Sequence, residues 1–347
     1  MAGSQTPRRV EELARSIALD IGSKRTRIAD SGGELLAEVE TVAAVDAFSY
    51  KVEAVGDEAI ELAAQKPGRY ILATPIENSK IKNVGLLNSF LARLAKSCDL
   101  KSFNRTRVAV AVPNDAKVMD VKAMQSCLDD LGAKEMLLVD SCLAAAMGAG
   151  FDPTSPKGVM IADLGASRAE ASIIALGEAV SWSASKQGGA TCNSQIFRFI
   201  EETYGIVVPR DVVEEVKVGL LKKGKRASQV KVSIWGRSVK TGVPTSAIVA
   251  GGDLLNLILP IFDEMVGALV NALSACPPEL ISDLYSSGIS LVGGVALVEG
   301  VPDLIESKTG LRAKRSDTPQ AAVTQGLCTV LASRRQNQIP QLQPVDI

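Results

Sequence analysis

The chain has 347 residues, of which 46% are hydrophobic and 22% are charged, a composition that excludes an intrinsically disordered protein. Its net charge of −1 gives no general electrostatic basis for binding nucleic acid, so we expect no nucleic-acid partner. The chain contains no histidine, which excludes catalytic triads, metal sites and general bases that depend on that residue.

The six cysteines form no CxxC pair, and we interpret them as buried, reduced thiols. The sequence has no uninterrupted apolar run of the roughly 18 to 20 residues that span a bilayer. Residues 1–9 are polar and lack the apolar run of a signal peptide. We therefore expect a cytoplasmic protein, for which attachment to the inner face of the membrane stays open.

Two similar units dominate the pattern of predicted elements. Each has an apolar strand that ends in Asp, a turn of the form Asp-x-Gly and a second apolar strand. The first unit covers residues 16–29 around Asp20, and the second covers residues 158–175 around Asp163. Recurrence of one pattern at this distance predicts a duplicated fold.

Strands and helices alternate through the rest of the chain. Further strands are predicted at residues 107–112, 135–139, 229–234 and 289–291. Helices are predicted at residues 120–131, 141–150, 193–204, 209–221, 253–276 and from Val301 onward, with a basic loop at residues 222–226. Alternation of this kind indicates layered α/β lobes. The polar tail after Ser333 is expected to be disordered.

The two Asp-x-Gly turns have the chemistry of a phosphate and Mg²⁺ site. Backbone N–H groups of such a turn can point at phosphate oxygens, while the carboxylate holds the water shell of the metal. A single turn is weak evidence, because Asp-x-Gly also occurs in ordinary β-hairpins. Two copies, together with Gly293-Gly294 after a third strand, are much more specific.

Several segments resemble the actin/Hsp70 superfamily and, within it, the MreB-type bacterial actins. IALDIGSKRTRIAD and GVMIADLGASRAEASIIALG are similar to the two phosphate loops, and ISLVGGVALVEGVPDLIESKTG to the adenosine motif. AVGDEAIELAAQKPGRYILATPIENSKIKN, CLAAAMGAG, CPPELISDLYSSGISLVGG and DVVEEVK narrow the resemblance to MreB. The similarity is collinear from about residue 16 to 330. It implies an α/β, actin-like (duplicated RNase H-like) two-domain fold with a central nucleotide cleft.

The resemblance also implies domain boundaries. Domain I would cover residues 1–150, with a small inserted subdomain at about 32–70. Domain II would cover residues 151–319, with a small subdomain at about 183–245. Residues from about 320 to 347 would pack back on domain I.

Site residues follow from the same resemblance. Asp20 and Asp163 would hold Mg²⁺, and Asp163 with Asp120 would serve catalysis of ATP hydrolysis. Glu214 and Lys217 would hold the ribose and base, although such a pair is also common on a solvated helix face. The residues implied to contact ATP are Asp20, Gly22, Ser23, Lys24, Thr26, Gly165, Ala166, Ser167, Arg168, Gly188, Gly189, Glu214, Lys217, Gly293 and Gly294.

The phosphate loops depart from the family pattern. Arg168 stands where the family has a hydroxyl that positions the attacking water, and Asp120 stands in place of a longer Glu. Lys24 and Arg25 add two cations to the first loop. These cations could neutralise phosphates in a site that hydrolyses ATP slowly, or fill the phosphate site so that no nucleotide binds. We expect binding of ATP and Mg, with weak hydrolysis at most.

The resemblance implies filaments that serve cell shape or intracellular organisation, with the chain itself as the main partner. Other bacterial actins or membrane morphogenesis proteins are further expected partners. Leu100 and Phe103, in a polar loop flanked by basic residues, are predicted to contact an anionic leaflet, unless both pack into the core. The alternative function is an actin-like adaptor or magnetosome-type filament protein that binds nucleotide and a partner without dynamic polymerisation.

Overall fold

The computed structural model describes residues 15–77, 80–98, 103 and 105–333, without the side chain of Lys225. The strands in these ranges are β1 (Ser16–Ile21), β2 (Arg25–Asp30), β3 (Leu35–Glu40), β4 (Ala43–Asp46), β5 (Val52–Val55), β6 (Tyr70–Ala73), β7 (Ile76–Glu77), β8 (Lys80–Ile81), β9 (Arg107–Val112), β10 (Glu135–Asp140), β11 (Val159–Leu164), β12 (Ala169–Ala175), β13 (Glu178–Ser185), β14 (Ile206–Val207), β15 (Lys231–Ser238), β16 (Pro244–Ala250), β17 (Ile289–Val292) and β18 (Ala313–Arg315). The α-helices are α1 (Asp57–Gln65), α2 (Val84–Ser97), α3 (Val118–Asp130), α4 (Ser141–Gly148), α5 (Gly189–Tyr204), α6 (Arg210–Lys222), α7 (Gly251–Ser274), α8 (Pro278–Ser287), α9 (Val301–Thr309) and α10 (Ala322–Ala332).

Two large sheets have the same topology. Their strand orders are β10-β9-β1-β2-β3 and β13-β12-β11-β17-β18. In each sheet the central strand, β1 or β11, pairs antiparallel with its hairpin partner and parallel with the strand on its other side. The next strand after each hairpin, β3 or β13, pairs antiparallel with the hairpin's second strand. The outermost strand on the other side, β10 or β18, pairs parallel with its neighbour. This repetition confirms the predicted duplicated fold. We call the first sheet with its helices lobe I and the second lobe II.

The central strands form where the sequence places uninterrupted apolar residues. Ile17, Ala18 and Leu19 of β1 are fully buried, as are the equivalent residues of β11. Such runs are typical of strands that are covered on both faces of a sheet. Because each run ends in an aspartate, Asp20 and Asp163 come to lie at the same end of the two central strands.

Helices α4 and α10 pack closely against each other in lobe I, and α10 also contacts β1. Their small residues allow this approach, because a Cβ at Gly148 would lie 1.8 Å from the carbonyl oxygen of Ala322. A Cβ at Gly326 would meet the carbonyl oxygen of Ala144 at the same distance. The small-residue composition of α4 is therefore explained by its contact with α10.

Helix α7 is the one helix in the described ranges that is long and apolar enough to cross a membrane by length and composition. It packs against β12, β13 and α5, and it contributes Leu254, Phe262 and Leu269 to the core of lobe II. The same apolar composition is required of a helix whose inner face is buried in a large core. We therefore interpret α7 as a core helix.

Candidate functional site

The two hairpins β1–β2 and β11–β12 place equivalent residues at equivalent positions. Asp20 is in register with Arg27 across the first hairpin, and Asp163 is in register with Glu170 across the second. Each turn is closed by the same backbone hydrogen bond. The N–H of Gly22 donates to the carbonyl of Arg25 at 3.0 Å, and Gly165 donates to Arg168 at 2.9 Å. The sequence repeat is therefore also a repeat of turn geometry.

The two turns meet at their hydroxyl side chains. Ser23 Oγ of lobe I lies 2.5 Å from Ser167 Oγ of lobe II, a hydrogen-bond distance. Thr26, by contrast, is fully buried, and its hydroxyl lies 2.9 Å from that of Thr41, which donates to the carbonyl of Gly22. Thr26 thus supports the first turn from behind, and its predicted contact with a phosphate does not fit its burial.

Asp20 lies close enough to Asp163 to affect its ionisation. Burial and the charge of Asp20 together raise the pKa of Asp163 to about 6. Burial also raises the pKa of Asp20, against the opposing effects of Arg27 and a hydrogen bond from Thr324 Oγ1 at 3.3 Å. Both carboxyl groups have raised pKa values, so a cation bound between them would stabilise their ionised forms. Because Mg²⁺ is commonly held by one or two carboxylates together with phosphates and water, this donor set fits the metal in the presence of a nucleotide.

Arg27 is a site residue that the sequence interpretation missed. Its side chain is almost buried, donates to Glu38 at 2.8 Å and lies 4.0 Å from Asp20. It therefore brings a fixed positive charge close to one of the two aspartates. The alternation of β2 places Arg27 next to Asp20, but no pattern in the sequence indicates that a residue between two buried strand positions stays charged.

Arg168 does not point freely at a phosphate site. Its guanidinium donates to Asp115 at 2.6 Å and to Glu170 at 2.7 Å. Glu170 is only 2% exposed, and the backbone N–H of Asn114 also donates to it at 3.1 Å. Since Asp115 follows β9 of lobe I, Arg168 joins the two lobes. The charge that Arg168 adds to the second loop is offset by these two carboxylates.

The predicted catalytic Asp120 lies in the same region. It occupies the first turn of α3, is partly buried and lines one cavity together with Asp115, Lys117 and Arg168. The structure thus brings Asp120 near the second loop. A buried nitrogen, Nε of Arg168, has no hydrogen-bond partner among the described residues.

Gly293 requires its lack of a side chain. It has φ of +84°, and a Cβ would lie 2.5 Å from both Asp163 Oδ1 and the carbonyl oxygen of Leu164. Gly294 starts a short 3₁₀ helix with room around it. The predicted Gly-Gly turn is therefore packed directly on the second aspartate.

Gly188 and Gly189 attach helix α5 to the second turn. Gly188 is the N-cap residue of α5. The N–H groups of Gly189 and Ala190 donate to the carbonyls of Gly165 and Ala166 at 3.2 and 2.7 Å. Gly188 and Gly189, both predicted site residues, therefore lie at the second turn, and the first N–H groups of α5 donate to the backbone of that turn.

Glu214 and Lys217 form a partly buried pair on α6. Lys217 Nζ donates to Glu214 at 3.0 Å and to the carbonyl of Gly189 at 3.1 Å, and its side chain is almost fully buried. Burial acts to raise the pKa of Glu214, but hydrogen bonds from Asn193 and Lys217 outweigh it and lower that pKa. Lys24 of the first loop lies 3.7 Å from Glu214. A solvated helix pair is excluded by this burial.

Asp140 is a second residue that the sequence interpretation did not assign. It is the N-cap of α4, where its Oδ1 accepts a hydrogen bond from the N–H of Leu143 at 2.7 Å. Its other oxygen is buried and has no partner among the described residues. Burial, with the nearby charge of Glu170, raises the pKa of Asp140 to about 7.

Of the two alternatives for Phe103, membrane contact and packing in the core, the structure shows packing in the core. Its side chain is fully buried and belongs to the core of lobe I with Phe90 and Leu94. Leu100 lies outside the described residues.

Two repeated sheets, with their first hairpins in contact across the lobes, define an actin-like fold. Residues 14–339 match the family model described as MreB/Mbl protein, and the chain therefore belongs to the MreB/Mbl family.

Relatives cover nearly the whole chain. The cell shape-determining protein Mbl of Bacillus cereus is 26% identical over 90% of this chain and 95% of its own. The cell shape-determining protein MreB of Escherichia coli is 28% identical over 90% of this chain and 92% of its own. MreB5 of Spiroplasma citri, solved with AMPPNP and with ADP, has a TM-score of 0.83 at 22% identity, over 94% of this chain and 98% of its own. The structure of a MamK double helical filament has a TM-score of 0.75 at 15% identity, over 92% of this chain and 99% of its own.

Proposed function

We propose that this chain is an MreB-like cytoskeletal protein that binds ATP with Mg between its lobes and polymerises into filaments for cell shape or intracellular organisation. The observation that carries the proposal is the meeting of the two repeated Asp-x-Gly turns, with Ser23 and Ser167 in contact. Two related structures of MreB5 hold AMPPNP and ADP, which supports a nucleotide here. The MamK filament supports self-association.

Asp20 and Asp163 are the residues that would hold the metal. Once bound, Mg²⁺ would neutralise phosphate charge and the charge of both carboxylates. Backbone N–H groups and hydroxyls of the turns, at Ser23 and Ser167, would face the phosphates. If both hydroxyls donate to phosphate oxygens, no proton is left between them, and two oxygens without a shared proton repel each other at 2.5 Å. The two hydroxyls would then have to move apart when a phosphate binds.

Weak hydrolysis follows from the surroundings of Arg168. Phosphoryl transfer depends on holding a water in line with the scissile bond and on stabilising charge, and little else. Arg168 replaces the hydroxyl that would hold this water, and both Asp115 and Glu170 hold its guanidinium. Asp120 lies in the same cavity but has a short side chain. We infer binding of ATP with slow turnover.

Glu214 and Lys217 would hold the ribose and base edge. The ionised carboxylate of Glu214 is an acceptor suited to ribose hydroxyls. Lys217, fixed by the carbonyl of Gly189, would keep Glu214 in place. This arrangement joins the first turn, the second turn and α6, because Lys24 also lies near Glu214.

Calorimetry with Mg-ATP, followed by a phosphate-release assay on the same sample, tests the binding and the turnover. We expect binding and release much slower than that of typical actins. Glu214→Gln should weaken binding about tenfold through the loss of a charged hydrogen bond, whereas the exposed neighbour Glu215→Gln should not. Absence of ATP binding, or phosphate release at the usual rate of actins, would overturn the proposal.

The alternative, an actin-like adaptor or magnetosome-type filament protein, binds nucleotide and a partner without dynamic polymerisation. The structural similarity to a MamK filament supports the magnetosome-type form of this alternative. Electron microscopy separates the cytoskeletal protein from the adaptor, because only the adaptor stays monomeric with ATP. Domain boundaries at about residues 150 and 319, a cytoplasmic location and partners among other bacterial actins or morphogenesis proteins complete the proposal.

A further inference from the structure

The turn that follows β9 in lobe I meets strand β12 of lobe II. The N–H of Ala116 donates to the carbonyl of Pro113 at 3.0 Å, which closes a turn with Asn114 and Asp115 as its two central residues. The proline also restricts the backbone at the first position of this turn. The closed turn therefore limits the positions that the side chains of Asn114 and Asp115 can take.

Three alternate residues of lobe II contact this turn. Arg168, Glu170 and Ser172 are two positions apart, so the alternation of β12 directs their side chains to the same face. Arg168 Nη1 donates to Asp115 Oδ1 at 2.6 Å. The backbone N–H of Asn114 donates to Glu170 Oε1, and Asn114 Nδ2 donates to Ser172 Oγ, both at 3.1 Å. Three hydrogen bonds thus join the lobes, and we call these five residues the interlobe latch.

The interlobe latch is charged and largely buried. Glu170 and Ser172 are buried, and Arg168 also donates to Glu170 at 2.7 Å within lobe II. Hydrogen bonds of a guanidinium are stronger than those between neutral groups, and their strength increases away from water. The other ion pair among the described residues that joins the lobes is Lys24 with Glu214, at 3.7 Å and with both side chains partly exposed. Such an exposed pair contributes little, so the latch is the stronger polar connection.

The lobes are also attached by an apolar joint. Helix α4 of lobe I contacts β11 and β12 of lobe II. Leu143 and Ala145 of α4 belong to one buried cluster with Ile161 of β11 and Ile174 of β12. Apolar contacts are not directional, so this joint alone leaves the angle between the lobes adjustable. The hydrogen bonds of the latch are directional and fix that angle.

We propose that the interlobe latch holds the two lobes at one closure angle whether or not a nucleotide is bound. The contact of Arg168 with Asp115 supplies a bridge between the lobes that belongs to the chain itself. A ligand shifts a conformational equilibrium only by its different affinity for the two states. Because the latch already makes the closed state dominant, a nucleotide changes the angle little. This property goes beyond the proposed function and does not depend on it.

The distance between two spin labels, measured by pulsed electron–electron double resonance, reports the angle between the lobes. Lys96 on α2 and Glu202 on α5 are exposed, and each helix is packed in the core of its own lobe, so Lys96→Cys and Glu202→Cys provide the label sites. Cys98→Ser and Cys276→Ser remove the native thiols that are not fully buried. We expect one narrow distance distribution without nucleotide, and the same distribution with Mg-ADP or Mg-ATP.

A matched pair of double variants assigns this behaviour to the latch. Asn114→Ala with Asp115→Ala removes the latch side chains of lobe I and leaves the ion pair within lobe II intact. Without nucleotide, its distance distribution should be clearly broader than that of the parent. Asn88→Ala with Asp130→Ala removes a hydrogen bond between the same residue types, 3.3 Å long and entirely within lobe I. This control should keep the narrow distribution.

Circular dichroism establishes that each variant is folded, and Asp115→Asn is a milder second variant that should broaden the distribution less. A broad distribution in the parent without nucleotide would overturn the proposal, as would a shift of its main distance on addition of Mg-ATP. A distribution as narrow as that of the parent in both latch variants would also contradict it. A narrow distribution in a parent chain that binds no ATP in calorimetry would support the latch while removing the proposed nucleotide-binding function.

Discussion

The hydroxyl of Ser23 in lobe I and the hydroxyl of Ser167 in lobe II lie 2.5 Å apart, although 144 positions separate them in the chain. Ser23 is one residue after Gly22 and Ser167 is two residues after Gly165, in turns that are closed by equivalent hydrogen bonds. The contact joins the lobes directly at the place where we propose that phosphates bind. We therefore expect a bound nucleotide to compete with this contact.

A disulfide between the turns tests that competition. In the double variant Ser23→Cys, Ser167→Cys, mild oxidation should link the lobes, because side chains whose Oγ atoms lie 2.5 Å apart already point at each other. Mg-ATP should slow the reaction. The measure is the shifted band on a non-reducing gel, with each single variant as control for the native cysteines. Linkage at the same rate with and without Mg-ATP would contradict the competition.

Arg168 and Arg25 occupy equivalent positions in the two turns but have different partners, which makes them a matched pair. Arg168→Ala should lower the free energy of unfolding by roughly 3–5 kcal/mol, because it leaves the buried Glu170 without its cation. Arg25→Ala should change it by less than about 1 kcal/mol, since Arg25 and Glu38 are 3.8 Å apart and both partly exposed. Urea unfolding measures both. Similar losses in the two variants would contradict a special role for Arg168.

Asp140 should make stability depend on pH. Its pKa is raised from 3.8 to about 7 in the folded chain, so between these values the native state holds a proton that the unfolded state has lost. Stability therefore falls as pH rises through this window, and the loss is complete above it. Asp140→Asn removes the buried charge. Its free energy of unfolding, relative to the parent chain, should be higher above pH 7 than at pH 4 by on the order of 1 kcal/mol or more.

Thermal unfolding across this pH range compares Asp140→Asn with the exposed Asp152→Asn. The pKa of Asp152 is lowered by hydrogen bonds from Thr154, so its variant should show no gain at high pH. A constant difference between Asp140→Asn and the parent at every pH would show that the Asp140 carboxyl ionises normally.

Alanine substitutions at Gly293 and Gly310 distinguish steric crowding from backbone strain. Both have positive φ, +84° and +71°, but only Gly293 has atoms within reach of an added Cβ. Gly310→Ala should cost about 1 kcal/mol from strain alone. Gly293→Ala should cost clearly more and abolish ATP binding, because its Cβ would displace Asp163. Calorimetry and thermal unfolding measure the two effects. Retained ATP affinity in Gly293→Ala would remove this glycine from the site.

Local features of the site could be predicted from the sequence, whereas its long-range partners could not. Asp20, Asp163 and the turn glycines follow from buried strands that end in Asp-x-Gly. The partners of Arg168 could not be predicted in this way, because Asp115 is 53 positions away and the contact depends on how the lobes meet. Thr324, which donates to Asp20, is 304 positions away.

The elements show the same division. Strand Arg107–Val112 was predicted at its observed bounds, since it is a β-branched run before Pro113. No strand is predicted at Tyr70–Ala73, because its apolar pattern is brief and half exposed. For Phe103 the polar neighbours leave membrane contact and core packing as alternatives, because a single apolar residue has no periodicity that reveals its burial.

Electron microscopy of the purified chain, with light scattering on the same sample, tests the central claim of an MreB-like filament protein most directly. With Mg-ATP we predict a rise in scattering and filaments on the grid, sustained because turnover is slow. Monomers that persist with Mg-ATP at every protein concentration, in a sample shown by calorimetry to bind ATP, would contradict the account and favour an adaptor.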